Sequence, residues 1–157
     1  MTAADDATLR TVFAAGTPPD PAVLDGRSYR GWNRGPVMRV ITEKFVKTFS
    51  REPGGDWGVN LVVRQDKQAP GGRWDLKLRD GQPIRQGHYR VTPAGNGLHL
   101  DYDVPRNTGT ELPLRVIQDD IVLVNPGDHD PMLGTARFKA GPVRFFVCFF
   151  QLEVRQE

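Results

Sequence analysis

In Phe45-Val46-Lys47-Thr48-Phe49 an ammonium group stands between two aromatic rings, because side chains of an extended segment alternate and residues 45, 47 and 49 fall on one face. With that face inward, the charge needs an oxygen partner: a ligand carboxylate, enolate or carbonyl, or an internal Asp or Glu. Lys44, on the alternate face, is expected in solvent. Tyr89 alternates with Val91 and offers an inward phenol, whereas His88 shares its face with Gln86 and Arg90 and reads as solvated. Arg115 lies between Leu114 and Val116; directed inward it would pair with a carboxylate in bidentate fashion, but its face is left open by the sequence. His99, Asp101 and Asp103 share a face at a spacing that could build an acid–base or metal cluster. The opposite face, Leu98, Leu100, Tyr102 and Val104, reads as core and puts the cluster outside. Asn125-Pro126-Gly127-Asp128-His129-Asp130-Pro131 gathers three potential ligands without an EF-hand spacing, so a hairpin loop and no metal is the expectation. There is no P-loop, H-E-x-x-H, C-x-x-C, G-x-S-x-G or G-x-G-x-x-G. Any chemistry must come from polar residues set singly in apolar strands.

The elements that would position these residues are mostly strands. Asp5–Ala15 carries Leu9, Val12 and Phe13 on one helical face, with Asp5 or Asp6 to cap it, and Gly16-Thr17-Pro18-Pro19-Asp20-Pro21 ends it. From Trp32 onward the period is two, broken by Gly- and Pro-rich turns. Strands are expected at Met38–Phe49 (whose start could instead be helical), Trp57–Gln65, Trp74–Leu78, Ile84–Val91, Leu98–Val104, Leu112–Gln118, Ile121–Val124, Leu133–Phe138 and Val143–Val154. Short connections favour antiparallel neighbours, and a meander of about eight to ten strands closes to remove its edges. The fold class is therefore all-β, an antiparallel up-and-down barrel with a short N-terminal helix. Residues 1–22 form the helix and connector, and residues 23–157 the barrel. Trp57, Val59, Leu61 and Val63 are expected inside it, Asn60 and Arg64 outside. Phe145 to Phe150 is apolar on both faces, so the last strand needs an outer cover, for which the Leu9/Val12/Phe13 helix is the candidate.

The chain of 157 residues has 21 Lys and Arg against 19 Asp and Glu, mixed rather than gathered into a basic tract, so nucleic acid is not an expected partner. The single cysteine, Cys148, excludes an internal disulfide and is expected to be buried and inert. The first residues are acidic and no stretch approaches the roughly 20 apolar residues of a bilayer span, which reads as a soluble, cytoplasmic protein. Oligomeric state is not legible.

Leu24-Asp25-Gly26-Arg27-Ser28-Tyr29-Arg30-Gly31-Trp32, following a short helix, resembles the glycine–tryptophan start of the lipocalin and fatty-acid-binding (calycin) barrels, including the nitrobindin-like group. It departs from G-x-W in that Gly31 and Trp32 are adjacent. The resemblance spans these nine residues together with the length and meander order. It implies a barrel around a small-molecule cavity, with Trp32 closing the floor beneath Arg144 or Arg155. Nitrobindin-like proteins bind haem through a late histidine; none follows His129 here, so neither haem nor another cofactor is expected. The function expected is binding of a small apolar or amphipathic molecule in the lumen, its polar end, acid or carbonyl, held by Lys47, Tyr89 and Arg115 and its body by Trp57, Phe45 and Phe49. One alternative is a cyclase or isomerase in which Lys47, Tyr89 or Arg115 polarises a carbonyl of a polyketide- or terpenoid-like substrate. Another is a structural domain with a filled core, distinguished from the first two by the volume of the cavity.

Overall fold

The computed structural model describes residues 5–156. Helix α1 (Asp6–Ala14) starts at Asp5, whose carboxylate accepts the Thr8 N–H at 2.8 Å. Helix α2 (Pro21–Leu24) follows, then strand β1 (Ser28–Asn33), helix α3 (Pro36–Ile41) and strands β2 (Lys44–Glu52) and β3 (Gly55–Val62). A long excursion holds the short strands β4 (Leu78–Arg79) and β5 (Gln82–Pro83). Strands β6 (Arg85–Ala94) and β7 (Gly97–Asp101), a 3-10 helix (Gly109–Val116) and strands β8 (Ile117–Asn125), β9 (Asp128–Ala140) and β10 (Val143–Val154) complete the chain. Eight strands close a barrel in the order β1-β10-β9-β8-β7-β6-β3-β2, every neighbour antiparallel; β4 and β5 pair apart from it. The all-β closed barrel with a short N-terminal helix is thus observed.

Several expected elements differ. β1 begins at Ser28, ahead of the anticipated change of period, and closes the barrel between β10 and β2. The segment expected as a strand from Met38 is helical to Ile41 and extended from Lys44. Leu112–Gln118 is not a strand: most of it belongs to the 3-10 helix, where Pro113 has no N–H for a ladder and Gly109 enters at φ +58°. Trp74–Leu78 is mostly irregular, joined to the barrel by the Val63–Leu76 bridge.

The phase of β3 is the reverse of that expected. The register sets Gly58 opposite Phe49, Asn60 opposite Lys47 and Val62 opposite Phe45, so Asn60 points inward and Trp57, Val59, Leu61 and Val63 point outward. Their apolar alternation marks a covered outer face. The excursion after β3 lies against it through the Val63–Leu76 bridge and the bonds of Val62 with Ile84 and Lys77, and the Arg106 guanidinium stacks 3.8 Å from the Trp57 ring.

Side chains occupy the lumen. Phe49 meets Tyr29 and Tyr89 edge-on at 5.8 and 6.0 Å, Tyr89 meets Tyr102 at 5.2 Å, and Phe45 meets Phe150 at 5.7 Å. Three inward glycines admit this filling, since a Cβ at Gly31 would overlap the Phe45 ring, one at Gly58 the Tyr89 ring and one at Gly134 the Phe150 ring. One end is plugged by Leu24 of α2, leaving a void of about 10 Å³ beside Phe49 and Val91. On the outer wall, Leu9, Val12 and Phe13 of α1 pack on Val122, Leu133 and Phe149, the cover expected for the last strand. The cover stops short of Phe145 and Phe146, which stay exposed, Phe146 beneath the Arg10 guanidinium at 4.7 Å.

Candidate functional site

Lys47 reaches the middle of the lumen because β2 alternates Phe45, Lys47 and Phe49 on its inner face. Its side chain is 2% exposed. The ammonium donates to Asp119 Oδ2 at 2.9 Å, Tyr102 Oη at 2.6 Å and Asn60 Oδ1 at 3.1 Å, which uses its three N–H bonds. The rings of Phe45, Tyr89, Tyr102 and Phe150 stand 4.7–5.3 Å from Nζ. Tyr102 donates its hydroxyl proton to Asp119 Oδ2 at 2.9 Å and accepts from Asn60 Nδ2 at 2.8 Å. Tyr89 donates to the Thr48 carbonyl at 2.6 Å.

Burial lowers the pKa of Lys47, and the attraction of Asp119 opposes that shift. Burial, reinforced by the negative charge of Asp119, raises Tyr89 and Tyr102 well above the ordinary phenol value. Of the two oxygen partners that the sequence left open for Lys47, a ligand or an internal Asp or Glu, Asp119 is the internal one. Two hydrogen-bonding positions remain unused in the cluster: Oδ1 of Asp119 and one N–H of Asn60. Asn60 is only partly buried, whereas the Lys47 and Asp119 side chains are 2% and 6% exposed.

Among the residues singled out in the sequence, the structure brings Lys47, Tyr89 and Phe45 together and stacks Phe49 against Tyr89. Trp57 lies outside the wall. Arg115 sits on the 3-10 helix, its Nε bonded at 2.7 Å to Oδ1 of Asp103, which faces outward, and both side chains are partly exposed, so it points away from the lumen. Asp119, Tyr102, Asn60 and Phe150 were not anticipated as partners of Lys47. Asp119 carried a usable signal: it occupies the place of an apolar residue in the alternation Ile117, Asp119, Ile121, Leu123, as Lys47 does between Phe45 and Phe49.

Lys44 is buried rather than solvated. Its ammonium donates to the carbonyls of Gly71 and Arg73 at 2.6 and 2.8 Å, pairs with Asp66 at 2.7 Å and lies 4.8 Å from the Trp74 ring, so the loop after β3 is folded around one charge. The Lys44 ammonium and the backbone N–H of Arg73 hold the Asp66 carboxyl at a pKa of about 2. Trp32 is on the outer face in the same neighbourhood, edge-on to Trp74 at 6.2 Å, and does not form the barrel floor. Lys44 and Arg30 stack on the Trp74 ring, and neither Arg144 nor Arg155 stacks on Trp32.

His99, Asp101 and Asp103 do face outward and disperse: His99 Nδ1 meets Asp120 at 2.9 Å, Asp101 accepts the Asp103 N–H, and Asp103 takes Arg115. In the 125–131 loop Asp128 accepts the Asp130 N–H, Asp130 accepts the Val154 N–H, and His129 Nε2 accepts the Asp20 N–H. Among the described residues no group of three or more His, Cys, Asp or Glu side chains could hold a metal ion, and no helix is long and apolar enough to cross a membrane.

The unplugged end is formed by four connections: α3, the β3–β6 excursion, the β7–β8 segment with the 3-10 helix, and the β9–β10 hairpin tip. Leu114 turns inward against Gly87, next to Tyr102. The large apolar side chains that are exposed among the described residues all belong to these connections or the strand ends beside them. They are Val37, Val40 and Ile41 on α3, Leu78 on β4, Leu112 and Val116 on the 3-10 helix, and Phe138, Val143, Phe145 and Phe146 on the hairpin. No protein-family model matches the chain and no curated protein matches it.

Proposed function

We propose that the barrel binds a small amphipathic molecule, taken up at the unplugged end, with its apolar body against Phe45 and Phe150 and its polar end on the Lys47 cluster. The observation that carries this reading is the Lys47–Asp119 ion pair with Tyr102 and Asn60 inside an aromatic shell. A buried ion pair is a poor stabiliser, because desolvating two charges costs about as much as their attraction returns. Convergent polar groups in an apolar lumen are instead what orients a ligand. The unused oxygen of Asp119 and N–H of Asn60 suit one neutral hydroxyl or carbonyl-bearing group, since the lysine charge is already matched. The eight-stranded closure with an N-terminal helix accords with the calycin-like start at Leu24–Trp32. Uptake requires Leu114 and the rings beside it to give way, as the lumen is occupied.

Titration with pyrene-labelled decanol and decanoic acid, followed by pyrene fluorescence, tests the reading. Saturable binding of the alcohol, stronger than that of the acid and weakened at least tenfold by Asn60→Leu, is expected. Absence of binding by both probes, or no effect of the substitution, defeats it. The filling of the lumen favours one second reading, a structural domain with a solid core, for which neither probe binds.

A further inference from the structure

We infer that the unplugged end of the barrel docks on an anionic lipid surface. Exposed apolar side chains scattered singly are ordinary on any protein, but here all of the large ones among the described residues crowd one end. Val37, Val40 and Ile41 are 66–73% exposed on a single six-residue helix whose start has no side-chain cap. With Leu78, Leu112 and the hairpin phenylalanines they stand on four separate tips around the mouth rather than on one flat patch. A bilayer interface receives such tips individually, to a depth of about 5–10 Å, without having to match the contour between them. A protein partner would need a complementary surface for each.

Charge selects the kind of surface. The segments 34–44, 63–85, 101–116 and 137–144 contain fourteen Lys and Arg against seven Asp and Glu, or twelve against six without the Lys44–Asp66 pair and Arg106, which reaches Glu52 and Trp57 at the opposite end, whereas the rest of the chain contains seven against twelve. A net charge of only +2 thus conceals a molecule positive at its apolar end and negative elsewhere. Anionic headgroups attract the first and repel the second, which sets the orientation as well as the affinity. The inference stands on the rim and not on the Lys47 cluster.

Co-sedimentation of the full chain with phosphatidylcholine vesicles, with and without 30% phosphatidylserine, tests it, alongside the variant Val40→Asp/Ile41→Asp. Both substitutions are on exposed positions, and circular dichroism with thermal melting confirms that the variant is folded. Binding to the anionic vesicles is expected, at least tenfold stronger than to neutral ones, falling in 0.5 M salt and falling at least tenfold in the variant. Equal binding by the variant, or no binding to anionic vesicles, overturns the inference. So does a self-associated species in solution that the variant dissociates, since the rim would then be an interface between copies of the chain. Asn60→Leu, which tests the lumen, leaves vesicle binding unchanged.

Discussion

Lys47→Met removes the ammonium while keeping most of the aliphatic stem, so little volume is lost among Phe45, Tyr89 and Phe150. What remains is the Asp119 carboxylate, 6% exposed and hydrogen-bonded through Oδ2 to Tyr102 alone. Removing one member of a buried pair costs about 3–5 kcal/mol. That is a large share of the roughly 5–15 kcal/mol that holds a domain folded. At this chain length about 1 kcal/mol moves the melting temperature by about 2–4 °C, so Lys47→Met should lower it by about 6–20 °C. Asp119→Leu should cost a similar amount, because it strands the ammonium. The double substitution leaves no charge behind; Asn60 Nδ2 still donates to Tyr102 Oη at 2.8 Å, and the Tyr102 proton, which had gone to Asp119, is the one buried donor left without its acceptor. Its cost should stay within about 2 kcal/mol of the wild type. Urea unfolding of the four proteins at pH 7, followed by tryptophan fluorescence, then yields a coupling energy of at least about 3 kcal/mol. A single substitution costing less than about 1 kcal/mol, or a double cost equal to the sum of the singles, would show that the two charges are not buried as a unit.

The chain has three tyrosines, and Tyr29, Tyr89 and Tyr102 all lie in the lumen with pKa values raised, chiefly by burial. A phenol whose native pKa is raised stabilises the fold below its unfolded value and ceases to as pH climbs toward the native one. Stability should therefore fall above about pH 10, by about 1.4 kcal/mol per pH unit for each tyrosine kept neutral. Phenolate absorbance at 295 nm should appear together with loss of the barrel's circular dichroism, and a tyrosine titrating near pH 10 in the folded protein contradicts this. Burial pushes the Cys148 thiol up to about 12, so a bulky disulfide reagent at pH 8 should label it only as fast as the barrel opens. Rapid labelling of the native state defeats that prediction. Removing residues 1–15 uncovers Phe149, Val122 and Leu133 and should make the protein self-associate in light scattering, while Leu9→Ala alone should cost about 2–5 kcal/mol. A truncated chain that stays monodisperse with its melting temperature unchanged would take the helix out of that role.

The sequence carried the architecture well where short-range physics decides it. Turn clusters mark where the chain reverses, and short connections make neighbours antiparallel, so a closed barrel follows without knowledge of any contact. The spacing of Leu9, Val12 and Phe13 foretold both the helix and the wall it covers. It failed where an element depends on what lies across from it. Leu112–Gln118 alternates like a strand, but Pro113 gives it no ladder donor and most of it winds into the 3-10 helix between β7 and β8 instead. Ser28–Asn33 shows no alternation that marks a strand, and it becomes one because β10 and β2 are there to pair with it.

The failure at β3 and the partial success at the Lys47 cluster share one cause. A period of two separates the faces of a strand but does not say which is inner, and in this barrel many outer faces are covered, by α1, by the excursion after β3, or by the stacked Arg106. Trp57, Val59, Leu61 and Val63 were hydrophobic for the sake of that cover, leaving the inner face to Gly58, Asn60 and Val62. The residue that breaks an apolar alternation is the more dependable signal. Lys47 breaks one on β2, Asp119 breaks one on β8, and the breaks are opposite in charge. Neither charge could enter the lumen alone at a tolerable cost, so each predicts the other once both strands are known to line the same barrel. By that rule Lys47 called first for an anion on this chain and only then for one on a ligand. The internal pair uses the lysine completely, and what it leaves for a ligand is an oxygen of Asp119 and an N–H of Asn60, a demand for a neutral polar group.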